Sequence, residues 1–164
     1  MEKKYKLTDE TINLCGKKLC RIKALKDFGD VKKGDKGGFI EDEHNLSHDG
    51  NSWVYGDACV CGDAMVYGNA RVYCDACVCG NARVYDNARV YGDARVYGDA
   101  KIENNFDYIV FKNWWSSGRY FTWTRSNDMW KVGCFYGTGE ELIKKAYKDS
   151  ELSGRQYERI VKYV

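Results

Sequence analysis

Residues 53–103 read WVYGDACVCGDAMVYGNARVYCDACVCGNARVYDNARVYGDARVYGDAKIE. An aliphatic residue recurs here at every sixth position, namely at Val54, Val60, Val66, Val72, Val78, Val84, Val90, Val96 and Ile102. Alanine keeps the same period at Ala58, Ala64, Ala70, Ala76, Ala82, Ala88, Ala94 and Ala100. A fixed short period of this kind indicates a repeat architecture, so the unit A-x-V-Y-[G]-[D/N] decides the fold.

Each unit has the composition of one short strand followed by one corner. Ala and Val stand two positions apart and point to the same side of a strand, while x and Tyr point to the other side. Gly followed by Asp or Asn supplies the turn, because Gly accepts positive φ and Asp or Asn bonds to nearby backbone. Three such units close a triangular coil with strands stacked at about 4.8 Å, so that residues 18 apart lie above one another.

Three outer faces follow from this spacing. The first carries Trp53, Arg71 and Arg89 beside Tyr55, Tyr73 and Tyr91. The second carries Cys59, Cys77 and Arg95 beside Cys61, Cys79 and Tyr97. The third carries Met65, Arg83 and Lys101 beside Tyr67, Tyr85 and Glu103.

The pairs from Val54/Ala58 to Val96/Ala100 resemble the hexapeptide-repeat superfamily, in which a small residue follows an aliphatic one four positions later. This resemblance implies a mainly β fold, a short left-handed parallel β-helix of three coils. Residues 19–58 are also similar to the opening of poorly characterised bacterial and phage hexapeptide-repeat proteins, often labelled putative transferases. That likeness covers roughly residues 5–103. The C-terminal segment resembles accessory domains carried by phage-borne proteins, and the two resemblances together imply a mobile accessory gene.

The flanks of the repeat are expected to cover its two ends, because exposed strand edges favour aggregation. We predict an N-terminal β-hairpin cap over residues 1–45, the β-helix over 46–103, and an antiparallel sheet with two helices over 104–164. The strand-like runs of the last segment are FDYIVFK, RYFTWTR and MWKVGCF. Its helices are expected to start at the capping boxes Thr138–Glu141 and Ser153–Gln156.

Composition narrows the class of protein. Residues 1–40 carry 11 basic and 6 acidic groups, 41–103 carry 5 and 11, and 104–164 carry 10 and 7. The net charge is small, and it is divided between basic ends and an acidic middle. This distribution is untypical of a duplex-DNA binder. No apolar run approaches the roughly 18 residues of a membrane span, and the N-terminus lacks a signal peptide, so we expect a cytoplasmic protein that does not bind membranes. The 8 cysteines are then expected to be reduced thiols.

Two groups of residues are candidate partner-binding sites. Tyrosine and arginine dominate interface hot spots, and the ladder of the first face supplies both. The aromatic and basic run NWWSSGRYFTWTR supplies stacking surfaces and charge, which also permits a nucleotide or a single strand, although we do not favour nucleic acid. The candidates are Tyr55, Tyr73, Tyr91, Arg71 and Arg89 in the ladder, and Trp114, Trp115, Arg119, Trp123 and Arg125 in the run. Ladder tyrosines can equally stabilise one another, and many of the rings in the run must form a core.

The cysteines offer a second kind of site. Cys59, Cys61, Cys77 and Cys79 should form a rectangle of about 4.8 Å by about 7 Å, which is close to a tetrahedral zinc site. Cysteine also behaves as a small hydrophobic residue in a strand, so we predict no metal. A disulfide between coils is the least expected arrangement.

Catalysis is not expected. Acyltransferases of the resembled superfamily use a histidine base and bind CoA between subunits, whereas His44 and His48 are the only histidines and lie before the repeat. We therefore predict a non-enzymatic protein-interaction module without cofactor, self-associated as a trimer or dimer. The phage resemblance implies a host factor such as a defence nuclease as the partner to be inhibited. The alternatives are a CoA-dependent acyltransferase and a self-assembling structural solenoid.

Overall fold

The computed structural model describes residues 2–164, and its centre is a β-solenoid of about 4 turns. Nine two-residue strands form three parallel sheets. β4 (Trp53–Val54), β7 (Arg71–Val72) and β10 (Arg89–Val90) form the tyrosine face. β5 (Cys59–Val60), β8 (Cys77–Val78) and β11 (Arg95–Val96) form the cysteine face. β6 (Met65–Val66), β9 (Arg83–Val84) and β12 (Lys101–Ile102) form the third face.

The interior of the solenoid is the predicted stack of small and branched side chains. Every Val and Ala of the repeat is fully buried, as is Ile102. Each coil donates to the next through its strand amides, for example from Cys77 N to Ala94 O at 2.9 Å. The predicted register is therefore confirmed, with residues 18 apart paired across neighbouring coils.

An additional coil precedes the repeat. β3 (Lys36–Ile40) pairs in parallel with β5, Phe39 opposite Cys59 and Ile40 opposite Val60. Leu46 forms a single parallel bridge to Val66. Stacked residues in this coil are 20 apart rather than 18, so the first turn is wider than the repeat and the coil begins before residue 46.

A long antiparallel hairpin extends the cysteine face. β1 (Tyr5–Leu14) and β2 (Lys17–Ala24) continue the sheet beyond β3, in the order β1, β2, β3, β5, β8, β11. The apolar side chains of its outer half bend over the face, where Leu19, Ile12 and Leu14 pack against the cysteines. The four cysteines under the hairpin are apolar, whereas the other two faces carry Arg71 and Arg83 at the position of Cys77 and tyrosines at the positions of Cys61 and Cys79.

The N-terminal end of the solenoid is closed by polar side chains. Lys4 is buried and donates to Ser52 O at 2.7 Å and to Ser52 Oγ at 3.3 Å. Tyr5 donates from its hydroxyl to Leu46 O at 2.7 Å. Burial lowers the pKa of Lys4 to about 8. Backbone oxygens that would have bonded to another coil are satisfied by side chains instead.

The C-terminal segment is a four-stranded antiparallel sheet with two helices. Its strands are β13 (Tyr108–Lys112), β14 (Tyr120–Thr124), β15 (Met129–Val132) and β16 (Phe135–Gly137). The third predicted run is split by a turn at Gly133, whose φ is +54°. The helices α1 (Gly139–Asp149) and α2 (Glu151–Tyr163) cover the sheet over a core of Phe121, Trp130, Leu142, Ala146 and Tyr157.

The helix starts were predicted with mixed success. Thr138 and Glu141 form the predicted capping box of α1. The second prediction was wrong, because α2 is capped by Ser150, whose side chain accepts from the Ser153 amide. Both helices in the described part of the chain are too short or too polar to cross a membrane.

Three side-chain oxygens close the C-terminal end of the solenoid. The first amide of each strand in the last coil donates to one of them. Arg89 N donates to Asn105 Oδ1 at 3.0 Å, Arg95 N to Thr122 Oγ1 at 2.8 Å, and Lys101 N to Ser126 Oγ at 2.7 Å. These oxygens replace the alanine carbonyls that accept the same bonds between coils, and thereby fix the C-terminal sheet on the solenoid.

Candidate functional site

Most of the predicted tyrosine ladder is engaged within the protein. Tyr55 and Tyr73 stack with ring centroids 4.5 Å apart. Asp30, in the loop between β2 and β3, accepts from the Tyr55 hydroxyl at 2.8 Å and from Arg71 Nη1 at 3.0 Å. These bonds lower the pKa of Asp30, while burial and the bond to Asp30 raise the pKa of Tyr55. This part of the ladder therefore anchors the N-terminal loop.

The remaining ladder residues lie in the last coil. Tyr91 is 54% exposed and meets Tyr108 edge to face, with centroids 6.2 Å apart. The Arg89 side chain is exposed, while its carbonyl accepts from the Tyr108 hydroxyl at 2.8 Å. Tyr91 lines a cavity together with Ile109 and Tyr120. The structure therefore separates Tyr91 from its two ladder partners and places it beside the C-terminal sheet.

The aromatic and basic run divides into core and surface residues. Trp115 packs on Tyr157 with centroids 4.9 Å apart and donates to Ser153 Oγ at 3.2 Å. Trp123 packs at the edge of the same core and donates to Asp128 Oδ1 at 2.8 Å. Trp114, by contrast, is 72% exposed, and the side chains of Arg119 and Arg125 are also exposed.

A groove lies where the solenoid meets the C-terminal sheet, and we call it the junction groove. Its cavity of about 490 Å³ is lined by Asp93, Arg95, Tyr97, Arg119, Tyr120 and Lys131. Arg95 lies in the last strand of the cysteine face and Tyr97 directly follows that strand, while the other cations come from the C-terminal sheet and its loop. Cys15 at the hairpin tip, with Gly133 and Cys134 in the turn after β15, completes the lining.

The charge and shape of the groove suit an anionic ligand. Arg95, Arg119 and Lys131 face the single acidic residue Asp93. Lys131 Nζ lies 4.5 Å from the centroid of the Tyr97 ring, so this cation is held over an aromatic face. Burial and the nearby Cys77 thiol raise the pKa of Tyr97, which therefore remains a neutral hydroxyl that can donate or accept.

Two neighbouring cavities extend the groove. A cavity of about 360 Å³ under the helices shares Arg119, Gly133 and Cys134 with it. The cavity at Tyr91 shares Asp93 and Tyr120. Predicted residues from both candidate groups thus border one surface, namely Tyr91 from the ladder and Arg119 from the aromatic run.

Sequence reasoning did not select Arg95, Tyr97 or Tyr120 as binding residues. The signal for the first two is visible in the columns of the cysteine face. Cys59 and Cys77 are followed by Arg95, and Cys61 and Cys79 by Tyr97. This change from cysteine to arginine and tyrosine marks the coil that the N-terminal hairpin no longer covers.

The cysteine face contradicts the expectation of reduced thiols. Cys61 and Cys79 form a disulfide between neighbouring coils, with their Cα atoms 4.8 Å apart. Cys59 and Cys77 are free and buried, and burial raises the pKa of Cys59 to about 12 and also raises that of Cys77. The two disulfide sulfurs cannot serve as thiolate ligands in this state. Residues 2–164 contain no group of three or more His, Cys, Asp or Glu side chains arranged for a metal ion.

Both histidines take part in the N-terminal closure. His44 Nε2 lies 2.8 Å from Gly62 O, and its Nδ1 lies 3.2 Å from Asp42 Oδ1. These contacts raise the pKa of His44 despite its partial burial. His48 stacks on Tyr5 with centroids 4.3 Å apart and accepts at Nδ1 from Lys4 N at 3.1 Å. The histidines have structural partners, and neither lines the junction groove.

Comparison with known families agrees with the fold. Residues 58–73, 76–92 and 88–104 match the family described as the YdcK beta solenoid repeat. The matched ranges lie within the repeated coils and leave the first repeat strand, the hairpin and the C-terminal sheet outside. No curated protein matches the chain.

Proposed function

We propose that the protein is a non-enzymatic binding module that holds an acidic segment of a protein partner in the junction groove. One observation carries the proposal: a groove lined by three cations and two tyrosines is assembled from the solenoid and the C-terminal sheet together. A groove shared by two structural units suits recognition, because its shape depends on both being folded and docked. Tyrosine and arginine are also the residues that contribute most to interface energy.

The distribution of charge supports a short acidic peptide rather than a nucleic acid. Three cations meet at the junction, whereas residues 41–103, which supply Arg95 and Asp93 to the groove, carry 11 acidic and only 5 basic residues. A phosphate backbone longer than the groove would meet Asp93 and the acidic corners of the coils. Nucleic-acid binding depends on many phosphate contacts made at once, which this field opposes.

The exposed side chain of Trp114 supports a protein partner. It lies in the loop between β13 and β14, which also carries Arg119 of the groove. The loop is closed by a bond from Asn113 N to Arg119 O at 2.8 Å. A large exposed ring in the same loop as a cation of the groove provides an apolar anchor in addition to charge complementarity, as in interface hot spots.

The cellular role and the self-association of the protein are part of the same proposal. The hexapeptide-repeat resemblance and its phage-borne relatives favour a cytoplasmic accessory protein that inhibits a host factor such as a defence nuclease. Self-association as a dimer or trimer would present several junction grooves at once and raise the avidity for a repeated partner.

An acyltransferase is less well supported. A general base must reach the proton that it removes and must be free to accept it. His44 and His48 instead bond to the backbone and to neighbours at the N-terminal end of the solenoid. The resemblance to putative transferases is therefore not accompanied by a free histidine base.

Fluorescence anisotropy with a labelled acidic peptide containing tyrosine tests the proposal. Arg95→Glu and Lys131→Glu should each raise Kd at least about tenfold, which corresponds to about 1.4 kcal/mol. Arg83→Glu is the matched control, because Arg83 holds the same repeat position on the third face. It should leave Kd within about a factor of two, since long-range charge effects are screened by salt.

Three outcomes would contradict the proposal. These are no binding of the peptide, equal effects of Arg83→Glu and Arg95→Glu, or tighter binding of a single-stranded oligonucleotide of the same charge. Saturable binding of acetyl-CoA with acetyl transfer abolished by His44→Ala would favour the enzyme instead.

A further inference from the structure

The cysteine face contains a disulfide, a neighbouring thiol and an opening to solvent. Cys77 Sγ lies 3.4 Å from Cys79 Sγ, which is one partner of the Cys61–Cys79 bond. Cys59 is the Cα partner of Cys77 in the adjoining strand. Four sulfur atoms thus occupy one small cluster that includes both oxidation states, although the fold needs only apolar side chains there.

A cavity gives access to the bond itself. About 370 Å³ of space lies between the hairpin tip and the coils, and Cys61, Cys79 and the exposed Cys15 line it together with Leu14 and Tyr97. The cavity borders the junction groove through Cys15 and Tyr97. A small molecule that carries a thiol can therefore approach the disulfide, while the Cys59 and Cys77 thiols remain covered by Leu19 and Phe39.

We propose that the cysteine face is a thiol–disulfide exchange site for a low-molecular-weight thiol, with Cys61–Cys79 as the bond that opens and Cys77 as the resolving thiol. The external thiolate attacks Cys79 Sγ, the Cys61–Cys79 bond breaks, and Cys61 leaves as a thiolate that takes a proton from water. Cys77, after losing its proton, then attacks Cys79 Sγ and releases the external thiolate. The net reaction conserves electrons: one disulfide moves from Cys61–Cys79 to Cys77–Cys79, and the free thiol moves from Cys77 to Cys61.

The exchange changes which cysteine carries the free thiol. It moves a free thiol from a buried position to Cys61, which lines the cavity. The resolving step is expected to accelerate with pH, because burial raises the pKa of Cys77 and only the thiolate is nucleophilic. The Tyr97 hydroxyl, 3.8 Å from Cys77 Sγ, and the Arg95 guanidinium favour the thiolate and partly oppose this effect, whereas the nearby Cys15 adds to it.

Trypsin separates the two disulfides by mass. Residues 37–71 contain no internal Lys or Arg and include Cys59 and Cys61, while the next tryptic peptide, 72–83, includes Cys77 and Cys79. The Cys61–Cys79 bond links these peptides, whereas a Cys77–Cys79 bond leaves 72–83 separate and two hydrogen atoms lighter than its reduced form. A Cys74→Ser background removes the third cysteine of peptide 72–83.

The full-length chain is incubated with graded concentrations of reduced glutathione, alkylated at low pH, and digested. We expect the linked pair to decrease while the internally bonded peptide 72–83 and a doubly alkylated 37–71 increase together, faster at higher pH. Cys77→Ser should abolish the internally bonded peptide, and Cys77→Ala should do the same if the serine variant folds poorly. Cys20→Ser on β2 is the matched control and should change nothing.

The proposal is overturned if peptide 72–83 of the Cys74→Ser chain appears only in reduced or glutathione-linked form. It is equally overturned if the moved bond involves Cys15, which would identify the hairpin tip as the resolving thiol.

Discussion

Removal of a single hydroxyl at the C-terminal end of the solenoid should measurably lower the free energy of unfolding. Thr122 is fully buried, and its Oγ1 accepts from Arg95 N at 2.8 Å. Thr122→Val keeps the shape of the side chain and removes the acceptor. The bond is partly buried, and an amide that loses its acceptor at such a site costs about 1 to 3 kcal/mol, so the free energy of unfolding should fall by that amount.

Ser126 provides an internal comparison for the same kind of bond. Its Oγ accepts from Lys101 N at 2.7 Å, but the residue is exposed. Water can replace the hydroxyl there, so Ser126→Ala should cost less than about 1 kcal/mol. For a chain of this size, about 1 kcal/mol corresponds to roughly 2 to 4 °C in Tm.

Urea denaturation followed by tryptophan fluorescence, together with calorimetry, measures both variants. The expected result is a clear loss at Thr122 and a small one at Ser126. Equal losses, or none at Thr122, would refute the view that side-chain acceptors close the last coil.

The remaining predictions concern the core, the N-terminal closure and assembly. Val78→Asp places a charge at a fully buried position in the middle coil and should cost about 4 kcal/mol or more, with loss of the β signal in circular dichroism. Lys4 has a lowered pKa of about 8, so the unfolded chain binds more protons above that pH. The free energy of unfolding of the wild type, relative to Lys4→Met, should therefore rise by about 1 to 2 kcal/mol from pH 8 to pH 9.5. A pH-independent difference would contradict this. We further expect light scattering to give a dimer or trimer, and a mass of 18.9 kDa at micromolar concentration would exclude self-association.

The coils could be predicted because the information that specifies them is local and repeated. Each unit carries its own inward Val and Ala and its own turn residues. A wrong assignment of strand and corner in one unit would therefore conflict with the register of the units on either side. Even the corners tolerate exceptions: Cys74 and Asp86 adopt φ of +57° and +53° at positions where other corners have Gly. The neighbouring coils impose the backbone conformation there.

The use of each outer face could not be read from the repeat in the same way. Tyr55, Tyr73 and Arg71 are a plausible binding ladder until Asp30 is known to bond to them. Asp30 is 25 residues from Tyr55 in the chain, and no local pattern relates the two. The position of the loop that carries Asp30 depends on the wider path of the first coil. That path is set by tertiary packing and not by the local sequence.

On the cysteine face, the stacking of neighbouring coils contradicts an expectation that was based on the whole chain. The expected reduced state rested on the absence of an export signal. The repeat places Cys61 and Cys79 on adjacent coils with Cα atoms 4.8 Å apart, well within the range that a disulfide requires. Stacking in a solenoid therefore brings the two residues into bonding distance without any special loop, and the spacing of 18 already contained that information.

The hairpin relates the two proposed sites to one another. It covers the cysteines of the first two repeat coils and ends at Cys15, so the third coil presents Arg95 and Tyr97 to the junction groove. Tyr97 lines both the groove and the cavity that reaches the disulfide. The ring therefore forms a common wall, with Lys131 over it on the groove side and Cys77 near its hydroxyl. Arg95 belongs to the groove but also lowers the pKa of Cys77, so charge reversal at Lys131 separates the two proposals better than charge reversal at Arg95. Lys131→Glu and serine substitution at Cys77 act on different residues, and failure of one proposal leaves the other open to its own test.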